Sequence, residues 1–174
     1  MERQMKLRSV LTRSSLLWLA GVLALLSYLA IACVMLHWDM VHLDSRILPG
    51  ESWSTLNDYT PGLREVHIWS TASLDVVFPL AYSALFAGLI WRGLPERFQW
   101  LVWFASATLL ADLGEGLVQI ILLNQDLTAI TYSDSEPLLW LKAALTSLKF
   151  SGFVASAIAA IAAVTNMMRR RRGT

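Results

Sequence analysis

WLVWFASATLLADLGEGLVQIILL, residues 100–123, is apolar over a length that carries one helix across the ~30 Å hydrocarbon core of a bilayer. Its only charges are Asp112 and Glu115, with Gln119 one turn further on. The spacing is i, i+3, i+7, so all three lie on one helical face. A charge at membrane depth costs at least ~2.5 kcal/mol on insertion scales, so that face must turn toward protein or water. The stretch therefore predicts a membrane-spanning helix that belongs to a bundle and brings acids into it.

Three more stretches have the same character. Leu16 to Leu36, Ser70 to Trp91 and Leu138 to Met168 are each long and apolar, and with residues 100–123 they make an all-α, integral membrane four-helix bundle. The whole chain of 174 residues is expected to form one transmembrane domain with helices at about 16–36, 70–91, 100–123 and 138–168. Composition agrees: 56% of residues are hydrophobic, 16% are charged, and mean hydropathy is +0.52, which excludes a disordered chain or a disulfide scaffold. Trp18, Trp38, Trp69, Trp91, Trp100, Trp103 and Trp140 fall near proposed helix ends, where the amphipathic indole prefers the interface. The single Cys33 forms no internal disulfide.

Orientation follows from the basic residues. Arg3, Lys6, Arg8, Arg13, Arg92, Arg97 and Arg169 to Arg172 put ten positive charges on one side, against Arg46 and Arg64 on the other. Basic flanks are retained in the cytoplasm, so both termini are expected there, in a bacterial inner membrane. The opposite loops are acidic, with Asp39, Asp44, Glu51, Asp58, Glu65, Asp126, Asp134 and Glu136. A cleaved signal or lipoprotein site at Ala30-Ile31-Ala32-Cys33 fits less well, because the apolar run is long and Ala30 stands where a lipobox has Leu. The external segment 37–69 is long for a connection inside a bundle and is expected to cap its outer mouth or to be a plain connector. Pro49-Gly50 marks a turn within it, and Thr60-Pro61 reads as a cap and first helical position, so the second helix is free to start outside the membrane.

Two further polar stripes match the first. Asp75, Pro79 and Tyr82 are spaced i, i+4, i+7 on the second helix, and Lys142, Thr146 and Lys149 repeat that spacing on the fourth. Three carboxyls, Asp75, Asp112 and Glu115, then share a polar cavity with two amines, Lys142 and Lys149, and one acid is expected to keep its proton at neutral pH. The cavity is expected to open outward, since Val154 to Val164 is apolar or small. Gly152, Ser156 and Ala160, and likewise Ala155, Ala159 and Ala163, suit close helix packing.

Leu74-Asp75-x-x-Phe78-Pro79-x-x-Tyr82, Asp112-x-x-Glu115 and Thr146-x-x-Lys149-Phe150 resemble a group of small bacterial four-helix membrane proteins of no established activity. The similarity spans the external segment through the fourth helix. It implies the fold and a shared polar site. The group commonly has Asn after the Glu and an aromatic residue inside Asp-x-x-Glu, where this chain has Gly116 and Leu113.

Three functional classes fit these residues. An enzyme or binder for a lipid or isoprenoid would use Asp112, Glu115, Lys149, Tyr82 and Asp75 as its acid, base and positioning groups, with Lys142, Thr146 and Gln119 contacting the substrate. A proton-coupled small transporter would titrate the same acids, and a structural membrane protein would use them as interhelical glue. The expected partners are membrane lipids and a lipophilic small molecule, and the bundle is compatible with a homo-oligomer. A net charge of +1 gives no case for nucleic acid. The expected helix interiors contain no His and no metal-ligand spacing, so neither a metal nor a cofactor is expected.

Overall fold

The computed structural model describes residues 8–172, and these are helical without any strand. In chain order the helices are α1 (Ser14–His37), α2 (Pro49–Asp58), α3 (Pro61–Gly93), α4 (Val102–Leu123) and α5 (Tyr132–Arg172). Short 3-10 turns stand at Leu43–Ser45 and Glu96–Leu101. The four long helices α1, α3, α4 and α5 are long and apolar enough to cross a membrane.

Three of the four long helices extend beyond the apolar windows, and α4 coincides with its own to within two residues. The second long helix starts at Pro61, where Thr60-Pro61 marks a cap and first helical position ahead of the apolar window at Ser70, and its 33 residues rise ~50 Å, well beyond one bilayer core. Thr60 caps it, its hydroxyl accepting from the Leu63 amide at 3.3 Å, and Pro61 needs no amide partner at the first position. The fourth long helix starts at Tyr132 rather than Leu138 and runs through Pro137. Here the Asp134 carboxylate accepts from both the amide and the hydroxyl of Thr131 at 2.8 Å, a capping arrangement that fixes the first turn. Segment 37–69 is thus not one loop: it holds the Leu43–Ser45 turn, α2 and the first turns of α3, and Trp53 belongs to α2.

The helices α3, α4 and α5 pack mutually, and α1 lies against α3. Residues of α1 such as Trp18, Leu25 and Leu36 remain exposed, as a helix bathed by lipid on most sides would leave them. Arg92 donates to the Ser14 hydroxyl at 2.8 Å and Asn166 to the Gly93 carbonyl at 2.6 Å, so the start of α1 and the ends of α3 and α5 share one end of the bundle. That basic end is packed through small residues. A Cβ on Gly93 would stand 2.5 Å from the Ala163 carbonyl, and one on Gly152 would strike the Thr108 hydroxyl. The acidic end has a different core, in which Met40, Leu43, Leu56 and Tyr59 pack with Val118, Leu122, Leu123 and Leu139. The segment before α3 is therefore docked onto α4 and α5 by burial of its own apolar side chains.

Candidate functional site

Docking of that segment brings the Leu43–Ser45 turn over the polar stripes of the long helices. Its Asp44 enters the stripes themselves. The Lys149 ammonium makes ion pairs with Asp44, with Asp112 at 3.0 Å and with Glu115 at 2.7 Å. Lys142, fully buried, donates to the Leu43 carbonyl at 2.6 Å and to the Arg46 carbonyl, with Glu115 at 3.7 Å. One amine thus neutralises acids while the other holds the backbone of the docked turn. The Glu115 carboxyl also meets the Thr146 hydroxyl, which lies 2.9 Å from the Lys142 carbonyl.

Tyr82 donates to Asp112 at 2.7 Å. Its ring stands among aromatic neighbours, edge-on to Phe78 at 5.0 Å and to Phe153 at 5.1 Å, with Phe86 at 5.8 Å. The phenol is therefore the junction between the charged centre and an apolar wall. Gln119 extends the centre outward, its amide donating to Asp44 at 2.5 Å and its oxygen lying 3.2 Å from His67 Nε2. His67 Nδ1 lies 3.0 Å from the Tyr59 hydroxyl, which also donates to the Val41 carbonyl.

Asp112, Glu115, Gln119, Tyr82, Lys142, Thr146 and Lys149 are brought together around one centre. Asp75 joins it by a different route than expected, through His42 rather than an amine. His42 Nε2 is 3.3 Å from Asp75 and Nδ1 3.3 Å from Asp44, with the ring stacked on His67 at 4.4 Å. Burial works against the charge on His42, but Asp44 and Asp75 outweigh it and push its pKa up to about 10. Burial likewise opposes charge on Asp44, yet Lys149 and His42 hold its carboxyl well below the usual range.

One expectation is corrected here: the helix interiors do contain a histidine, since His67 is buried within α3 rather than lying in a loop. The Leu43–Ser45 turn lies over the polar centre at the acidic end, with Leu43 fully buried and 28% of the Asp44 side chain still exposed. The charge count changes with the added members: four carboxyls, Asp44, Asp75, Asp112 and Glu115, face three cations, Lys142, Lys149 and His42. One acid remains in excess, as before. His42, Asp44, Tyr59 and His67 were not identifiable from spacing, because three precede α3 and the fourth was assigned to a loop.

Asp44, Asp112 and Glu115 offer oxygens within 4.8 Å of one another, a hard all-oxygen set of the kind that suits Mg²⁺ or Ca²⁺. The Lys149 ammonium stands among them and pairs with all three, so it does the work a cation would do. No family model, curated protein or solved structure matches the chain.

Proposed function

We propose that the chain is a bacterial inner-membrane protein with both termini in the cytoplasm, whose polar centre binds a lipophilic substrate, a lipid or isoprenoid, and exchanges a proton with it. The ten-to-two basic asymmetry supports the orientation. A C-terminal phosphatase fusion is expected to be inactive, and an active one would overturn it. The reading of the site rests on the Tyr82 junction, where an acid–amine cluster meets an aromatic wall of Phe78, Phe86 and Phe153. A ligand with a polar head and an apolar body fits that adjacency.

Roles follow from geometry. Lys149 pairs with Asp44 and Asp112, and Tyr82 is a hydrogen-bond donor that can be shared with a substrate oxygen. Glu115 is the proton donor. The Thr146 hydroxyl has one hydrogen but faces two acceptors, Glu115 and the Lys142 carbonyl. A proton on Glu115 lets Glu115 donate to Thr146 and Thr146 donate onward, and it also absorbs the acid in excess. Such a neutral acid beside carboxylates and an ammonium is the arrangement of general acid and base chemistry.

A structural role is favoured by one observation: Lys142, Lys149 and Glu115 already have protein partners. Ligand retention separates the two readings. Mass analysis of lipophiles co-purifying with the full chain is expected to find one species lost from both Tyr82→Phe and Glu115→Gln. Because Gln is the neutral isostere of a protonated Glu, Glu115→Gln should cost about 1 kcal/mol or less in stability. If the bound lipophiles are the same in all three proteins, the network is glue and the proposal fails.

A further inference from the structure

An apolar recess lies away from the polar centre, between α3 and α4 toward the basic end. It encloses about 710 Å³ and is walled by Leu80, Ala84 and Trp91 on α3 and by Trp103 and Leu109 on α4. Trp100, from the turn before α4, and Arg8, from the helical turn at residues 8–11, stand at its mouth. The chain before α1 is held there because Gly88 of α3 lets the Leu11 backbone approach closely.

Length, charge and chemistry together select an occupant. From Leu80 to Trp91 the helix rises ~17 Å, close to the ~15 Å of hydrocarbon in one leaflet. The volume lies within the ~300–1,000 Å³ of ordinary ligand pockets. The lining is mostly indole and aliphatic, interrupted by Ser83, Gln99 and Ser106, and Trp100 and Trp103 are exposed toward the surrounding lipid, so the recess is entered from the side. Arg8 lines the recess itself, and Arg13, Arg92 and Arg97, against Glu96, leave this end of the bundle net positive. We propose that this recess is a binding site for an anionic glycerophospholipid of the adjoining leaflet, its phosphate at Arg8 and one acyl chain lying along Leu80, Ala84 and Leu109.

Ser83 sharpens the choice. Its hydroxyl is buried in the wall without a hydrogen-bond partner, unlike those of Thr108, Ser147 and Ser156, which donate to the carbonyl four residues earlier. It lies ~15 Å from the end of α3, level with the end of an acyl chain and not with its ester groups. A phospholipid therefore does not need Ser83, whereas a lipophile with a polar group at mid-depth would.

The test uses the full chain in phosphatidylcholine vesicles with a trace of phosphatidylglycerol bearing a photoreactive diazirine near the end of one acyl chain. Crosslinks are expected to concentrate at residues 80–84 and 106–109. The matched phosphatidylcholine probe should label these positions several-fold less, and Arg8→Gln should remove that difference. Ala84→Phe, and from the opposite wall Ser106→Phe, should abolish the concentrated labelling while leaving labelling at the lipid-facing Ile158 and Ile161 unchanged, which also reports that the protein is folded. Ser83→Ala should change nothing. Labelling spread evenly over the lipid-facing surface, equal labelling by both headgroups, or loss of labelling in Ser83→Ala would each overturn the proposal, the last by assigning the recess to a lipophile with a polar group at mid-depth.

Discussion

The two ends of the bundle are held by different forces. At the acidic end, side chains far apart in sequence meet through charge: Asp44 reaches Lys149 across 105 residues, and Lys142 holds the Leu43 carbonyl across 99. At the basic end there is no such network among the described residues. Helices there close on one another through Gly88, Gly93 and Ala163, with Ala87, Ile90, Val102, Ala105 and Ala159 between them. Lipid tails are as apolar as leucine, so packing in a membrane depends on close backbone approach or on polar partners, and this chain uses one solution at each end. The difference teaches that close helix packing does not need a buried charge network: the basic end adds to its small residues only single hydrogen bonds such as Arg92 to Ser14 and Asn166 to Gly93, which leaves the concentration of charge at the acidic end to be explained by the docked turn and by function.

The largest expected effect is at the acidic end. Lys149→Met removes the shared cation and leaves Asp44, Asp112 and Glu115 facing one another in a buried site. Losing one partner of a buried charge pair costs roughly 3–5 kcal/mol, and here the two ionised acids Asp44 and Asp112 both lose theirs while Glu115 loses a hydrogen-bond partner. Unfolding in mixed detergent micelles should show a loss at or above the upper part of that range, while a loss under about 1 kcal/mol would mean that the acids find other partners. At the basic end, Gly93→Leu should cost roughly 1–3 kcal/mol by forcing α3 away from Ala163. Its signature differs: the effect should be the same at pH 5 and pH 8, since no titrating group is involved.

A smaller effect distinguishes the ends by pH. The raised pKa of His42 adds stability that is fully present below its ordinary value of 6.5 and is lost as pH rises through about 10. The depressed pKa of Asp44 adds stability that is present above its ordinary 3.8 and is lost as pH falls below it. Thermal unfolding of the wild type should therefore weaken on the alkaline side, and His42→Gln should flatten that limb. An alkaline limb unchanged in His42→Gln would show that His42 carries no charge in the folded protein.

Much of the acidic end was legible in the sequence, for a definite reason. Asp112, Glu115 and Gln119, and likewise Lys142, Thr146 and Lys149, are spaced on regular helices, where an i, i+3, i+7 or i, i+4, i+7 pattern fixes a common face. His42 and Asp44 stand in a segment with no period, placed by the burial of Leu43 and Leu56 against α4 and α5. No local rule reaches that far. His67 was hidden differently: Thr60-Pro61 already allowed it a place on the helix, but its burial depends on the docked segment that brings Tyr59 and His42 against it. The start of α5 could have been read from Thr131-x-x-Asp134, a short-range capping signal that Pro137 obscured.

What stands or falls with the docked turn is the coupling between Asp44 and Lys149. A double-mutant cycle with Asp44→Asn, Lys149→Met and the pair, followed by unfolding of the full chain in detergent, measures it. Each single variant should be strongly destabilised, and the double should lose at least about 1.5 kcal/mol less than the two losses combined, as for residues in one ion-pair network. Strict additivity would contradict the account, since Asp44 would then lie outside the polar centre and segment 38–60 would be only a connector.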